Sequence, residues 1–98
     1  MWADAVIAEL EKGRTASCRP RGNSMVPIVR SGQLCTIEPV TLAAVSKDDV
    51  VLCRVKGAQY LHLVKQVAAD GRVLIGNNRG GTNGWTRTVY GRLTRVED

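Results

Sequence analysis

The sequence predicts a single, mostly β domain with one short helix at its N-terminus. Three observations carry that expectation. Short runs rich in apolar and β-branched residues recur over residues 33–96 at spacings of roughly 8–12. The pairs Lys56-Gly57 and Asp70-Gly71 punctuate them as turns. Only residues 3–12 space their apolar residues as a helix does. A chain of 98 residues supports one core and no second domain, so strands this short and regular point to a small barrel or sandwich over 19–96.

The helix is expected over 3–12, with Ala5, Val6, Ala8 and Leu10 among polar neighbours, Gly13 as its stop and Trp2 pinning its start. It is too short to persist alone and must dock. Gln33–Glu38 is a strand closed by Pro39, and 41–48 a connection holding at most one helical turn. Asp49–Val55, Gln59–Val67 and Arg72–Ile75 follow as strands. Residues 76–84 carry four glycines and no apolar side chain, which predicts a loop. Thr86–Val96 is a last strand or pair, bent or bulged at Gly91.

Composition narrows the functional classes. A hydrophobic content of 44% fits a globular domain and argues against disorder. The net charge of +5 comes from basic residues scattered along the chain, without the clustering that nucleic acid requires. Cys18, Cys35 and Cys53 are an odd count with no C-x-x-C spacing, which speaks against a disulfide framework or a zinc site and for a reducing compartment. No run approaches the roughly 20 apolar residues of a membrane anchor, and the N-terminus lacks the pattern of a signal peptide. The expectation is a cytoplasmic protein without metal or cofactor. Its oligomeric state leaves no mark on the sequence.

Chemistry concentrates in Arg19–Gly32, RPRGNSMVPIVRSG. Gly22 gives the backbone freedom and Pro27 removes it a few residues on, so Ser24 is held on a constrained turn beside Met25. A serine nucleophile needs such a pose, with its hydroxyl fixed near free backbone N–H groups. Asn-Ser beside Gly and Pro is also ordinary turn chemistry.

The order of the following segments resembles the LexA/signal-peptidase superfamily of serine peptidases. Gly22-Asn23-Ser24-Met25-Val26-Pro27 resembles its nucleophile box. Lys47-Asp48-Asp49-Val50-Val51 resembles its Gly-Asp-Val-Val strand start, with Asp48 in the glycine's position. Gly76-Asn77-Asn78 resembles its Gly-Asp-Asn, and Tyr90-Gly91-Arg92 its closing strand. The likeness spans residues 19–96. It implies a coiled, partly open β-barrel with Ser24 as nucleophile and a peptide or protein as substrate. Gly22, Met25, Pro27, Asn77 and Asn78 would surround that substrate.

Two residues of one strand compete for the general base. The resemblance aligns the base with His62 in Leu-His-Leu-Val, and one frame on with Lys65 in Val-Lys-Gln-Val. A neutral imidazole accepts a proton near pH 7 without tuning, whereas a lysine must first be desolvated. Strand parity sets Lys65 on the apolar face with Leu61, Leu63 and Val67, and His62 opposite with Tyr60 and Val64. The family's acidic partner of the base is replaced by Asn77, which leaves Asn77, Asn78 or Asn83 to orient a histidine. The self-cleavage segment, DNA-binding domain and membrane anchor of family members have no counterpart here. A rival reading is a non-catalytic module that binds protein or nucleic acid through the 76–84 loop, Arg79, Trp85 and Arg87.

Overall fold

The computed structural model describes residues 2–98. Seven strands form one antiparallel sheet: β1 (Ala16–Cys18), β2 (Leu34–Pro39), β3 (Val50–Val55), β4 (Ala58–Val67), β5 (Val73–Gly76), β6 (Thr82–Thr86) and β7 (Val89–Glu97). Their order across the sheet is β1-β2-β7-β3-β4-β5-β6. One helix, α1 (Asp4–Glu11), precedes them, and a single 3-10 turn covers Leu42–Ala44. The fold is therefore mostly β, with an open rather than closed sheet.

The hairpin of β3 and β4 is the most regular part. Val55 pairs with Ala58 across a two-residue turn in which Lys56 and Gly57 both have positive φ, at +51° and +84°. That geometry matches the natural twist of a hairpin and favours a glycine. Two residues before β3, Asp48 adopts φ +75°, a left-handed conformation that glycine enters most readily.

The sheet buries two clusters, one on each face. On the first, α1 lays Val6, Ile7 and Leu10 with Ala3 against Cys35, Ile37, Leu52 and Leu61. Ala5 and Ala8 face outward, so the buried stripe includes Ile7 rather than the alanines expected from sequence. The second cluster gathers Val51, Cys53, Val55, Val64, Val73 and Ile75. The alternation along β3 explains the division, since its successive side chains point to opposite faces. β6 bends back towards β3, where the Thr86 hydroxyl donates to Arg54 O at 2.6 Å and Arg54 N–H donates to Thr88 O at 3.0 Å.

β7 lies between β2 and β3 with register shifts on both sides. Gly91 makes that position tenable, as a Cβ there would stand 2.7 Å from Ile37 Cγ2 and 2.8 Å from Glu38 O. Two strands were not legible. β1 is only three residues long, and β6 begins inside the segment 76–84 expected to be all loop. Trp2, just before the helix, is half exposed. Cys18 and Cys35 face each other across β1 and β2, and all three cysteines are free thiols. Burial pushes the thiols of Cys18 and Cys53 up to about 11 and about 12. Among the described residues no helix is long and apolar enough to cross a membrane.

Gly91→Ala should destabilise the protein by about 2 kcal/mol or more, because the new methyl meets backbone as well as a side chain. Urea denaturation followed by circular dichroism measures this; an unchanged midpoint would contradict the packing at β7.

Candidate active site

Residues 19–32 form a loop closed at its neck. Gly32 N–H donates to Pro20 O at 2.8 Å and the Arg19 guanidinium donates to Gly32 O at 2.9 Å. Gly22, at φ +109°, donates its N–H to Ser31 Oγ at 3.1 Å. Inside the loop, Val29 N–H donates to Met25 O at 3.0 Å, and both side chains anchor in the first core cluster. A turn that would be mobile by composition is thus fixed by two buried side chains and its own backbone.

The 77–81 turn clamps the loop from outside. Asn78 N–H donates to Ser24 O at 2.8 Å, and Asn78 Nδ2 donates to Val26 O at 3.0 Å. Asn77 Oδ1 accepts from the N–H groups of Arg79 and Gly81, which tightens the turn. Both asparagines therefore hold loops in place.

Ser24 Oγ lies 3.1 Å from His62 Nε2, and His62 Nδ1 lies 2.7 Å from Asn83 Oδ1. The asparagine oxygen can only accept, so Nδ1 carries the proton. Nε2 is then the lone-pair nitrogen and accepts from the serine hydroxyl, the tautomer a general base requires. Tyr60, two residues away on the same face of β4, stacks on the imidazole with ring centroids 5.0 Å apart. Burial pushes the His62 pKa below 6.5, and the hydrogen bond that Nδ1–H donates to Asn83 partly opposes that. The imidazole is consequently neutral at pH 7. The backbone N–H groups of Ser24 and Met25 donate to no acceptor among the described residues.

Lys65, the other candidate base, has no hydrogen bond to Ser24 among the described residues. It is the extra residue at the register shift between β4 and β5, and its side chain runs across Gly76, where a Cβ would stand 2.9 Å from its Cε.

A cleft of about 370 Å³ opens beside the serine. Its walls include Gly22, Ser24 and Met25 from the loop, Trp2 from the N-terminus, and Gln59 to His62 from β4. Pro27 stands outside it, exposed on the loop. Four successive strand residues with side chains on alternate faces can line one cleft only if the strand's edge faces it. The pairing agrees, since β5 meets β4 from Leu63 onward and leaves Gln59–His62 unpaired on that side.

The sequence brought out Ser24, His62 and, as one of three asparagines, Asn83. It missed Trp2, Gln59 and Tyr60. The alternation along β4 could have found Tyr60, but nothing local marks Trp2 as a cleft residue. Around the rival surface, Trp85 is 40% exposed with the Arg72 guanidinium carbon 5.3 Å from its ring centroid, and Arg87 pairs with Asp70 at 3.2 Å. Among the described residues no three His, Cys, Asp or Glu side chains gather as a metal-binding group. Comparison with models of known families, with curated proteins and with solved structures found no match. Geometry alone must carry the functional reading.

The depressed pKa has a sign that can be tested. Between the folded value and the unfolded 6.5, the unfolded chain binds more protons. The stability contributed by neutral His62 is thus present above pH 6.5 and is lost as pH falls through the folded value. NMR titration of the imidazole should give a pKa below 6.5, and Asn83→Ala should lower it further. A value above 6.5 would contradict the burial of the ring.

Proposed function

We propose that this chain is a serine peptidase-type domain of the LexA/signal-peptidase kind, with Ser24 as nucleophile, His62 as general base and Asn83 as the residue that orients the base. One observation carries the proposal: the two nitrogens of a single histidine join the serine hydroxyl at 3.1 Å to an asparagine oxygen at 2.7 Å. Serine in ordinary turn chemistry has no need of a histidine held in one tautomer. Asparagine in the third position is a known variant of the triad logic. On this reading the curled sheet is a partly open barrel, and its opening runs along the first half of β4. Residence in the cytoplasm belongs to the same proposal and rests on the cysteine usage.

In the reaction, a peptide enters the cleft extended along the free edge of β4, the common mode when a protein reads a backbone. His62 Nε2 takes the proton from Ser24 Oγ as that oxygen attacks the carbonyl carbon. The backbone N–H groups of Ser24 and Met25 receive the negative charge on the carbonyl oxygen. As the C–N bond breaks, His62 returns its proton to the leaving amine. Water, activated by the same imidazole, then releases the acyl group and restores the serine.

Ser24→Ala should abolish cleavage of a degenerate peptide library followed by mass spectrometry. His62→Ala should lower the rate by roughly a thousandfold or more, while Lys65→Ala leaves most of it. Asn83→Ala should cost roughly tenfold or more, since the imidazole loses its fixed tautomer. The pH profile of kcat/KM should rise through a pKa below 6.5. If wild type and Ser24→Ala bind peptides equally and neither is cleaved, the non-catalytic module is the correct reading.

A further inference from the structure

The cleft beside the serine carries charge of one sign. Among the described residues its walls hold two ionised side chains, Arg19 and Arg21, and no aspartate or glutamate. His62 adds no charge at neutral pH, because burial pushes its pKa below 6.5. Arg19 uses one guanidinium nitrogen to donate to Gly32 O at 2.9 Å, and a bond to a carbonyl leaves the positive charge in place. Arg21 is exposed and pairs with no carboxylate among the described residues. Asp4, which accepts from Gln59 Nε2 at 2.8 Å, stands outside the wall.

The charge also has a direction. β4 contributes Gln59 to His62 to the wall and nothing further along, where β5 closes the strand's edge from Leu63. The cleft therefore runs from Ser24 and His62 back towards Gln59 and Trp2, a span of about 10 Å along the strand. A peptide lying there has about three residues inside the cleft, all on one side of the bond next to Ser24. Its backbone would engage the free edge of β4, so the two arginines are left to its side chains. Charges of opposite sign attract over roughly 10 Å at moderate ionic strength, so the selection needs no fixed contact. Nucleic acid carries the same sign of charge, but an unpaired strand edge offers donors and acceptors spaced for a peptide.

We infer that the cleft selects peptide segments carrying aspartate or glutamate within about three residues of the cut, on one side of it, with Arg21 setting the preference and Arg19 adding to the same field. The cut rests on the peptidase reading, whereas the selection of acidic segments rests on the cleft alone. A lysine at the same position would be repelled by both arginines. The ratio between an acidic peptide and its lysine twin therefore measures the effect. Salt screens that ratio and leaves apolar contacts with Met25 and Val29 in place.

The test uses paired degenerate peptides that differ only in carrying glutamate or lysine at one fixed position. Their binding to Ser24→Ala is read by fluorescence anisotropy, and their cleavage by wild type from sequenced product ends. At low salt the glutamate peptides should bind and be cut about tenfold better, always with the acidic residue on the same side of the cut. The ratio should shrink towards one in about 1 M salt. Arg21→Glu should reverse it and Arg21→Lys should keep it, with thermal midpoints unchanged because the side chain is exposed. Lys47→Glu changes the net charge equally but away from the cleft, and should leave the ratio as it is. A ratio that falls as far in Lys47→Glu as in Arg21→Glu, or Ser24-dependent cleavage indifferent to the acidic residue, would overturn the inference and leave the peptidase reading standing. Acidic peptides bound through Arg21 and never cut would uphold the inference and remove the peptidase reading. A single-stranded oligonucleotide that binds through Arg21 more tightly than the acidic peptides would assign the charge to nucleic acid and overturn the inference. Neither binding nor cleavage of any peptide would overturn both.

Discussion

A ten-residue strand beside a four-residue neighbour must leave part of its edge without a partner. β4 pairs with β3 from Ala58 to Leu63, whereas β5 reaches it only from Leu63 to Val67. Each backbone group on the free stretch is a hydrogen-bonding group without a strand to bond. The chain answers by bringing the serine loop to that edge and holding it off by the width of a cleft. Everything at the site follows from this mismatch: His62 sits on the free stretch, Ser24 on the loop beside it, and Asn83 on the strand that returns past β5.

The site also depends on neutral contacts where a charge would be the familiar choice. An aspartate next to the imidazole would favour its protonated form and raise its pKa. Asn83 fixes the same tautomer without a charge, and burial prevails. Burial holds the imidazole pKa below its ordinary value, and on the proposed mechanism a neutral asparagine would give the imidazolium weaker support than a carboxylate. Asn78 makes the complementary contribution. Its two hydrogen bonds tie the serine loop to the turn that leads into Asn83, so nucleophile and base partner are carried on joined segments.

What was legible in the sequence was what depends on local pattern. The hairpin of β3 and β4 announces itself through Lys56-Gly57 and strict alternation, and Gly91 marks a close approach because only glycine tolerates one. Ser24 was visible through the order of segments around it. β6 was not, because Thr82–Thr86 has little apolar content; what makes it a strand is β5 on one side and the return to β3 near Arg54. The choice between His62 and Lys65 was equally out of reach. Both sit in similar local settings, and the difference is made by a loop almost forty positions earlier. The place of Trp2 in the cleft wall likewise depends on how the helix docks.

The sheet has two outer edges, and both are brief: β1 has three residues and β6 has five. Short borders of this kind offer little template for another folded molecule to extend the sheet. The unpaired half of β4 is recessed instead, with the 19–32 loop rising along one side of it. A rigid strand within another globular domain brings its neighbours with it and collides with that wall. A single unstructured segment does not. Under the proposed function, the recess would act as a sieve for chain flexibility, admitting tails, linkers and partly unfolded stretches while excluding ordered surfaces, before any side chain is read.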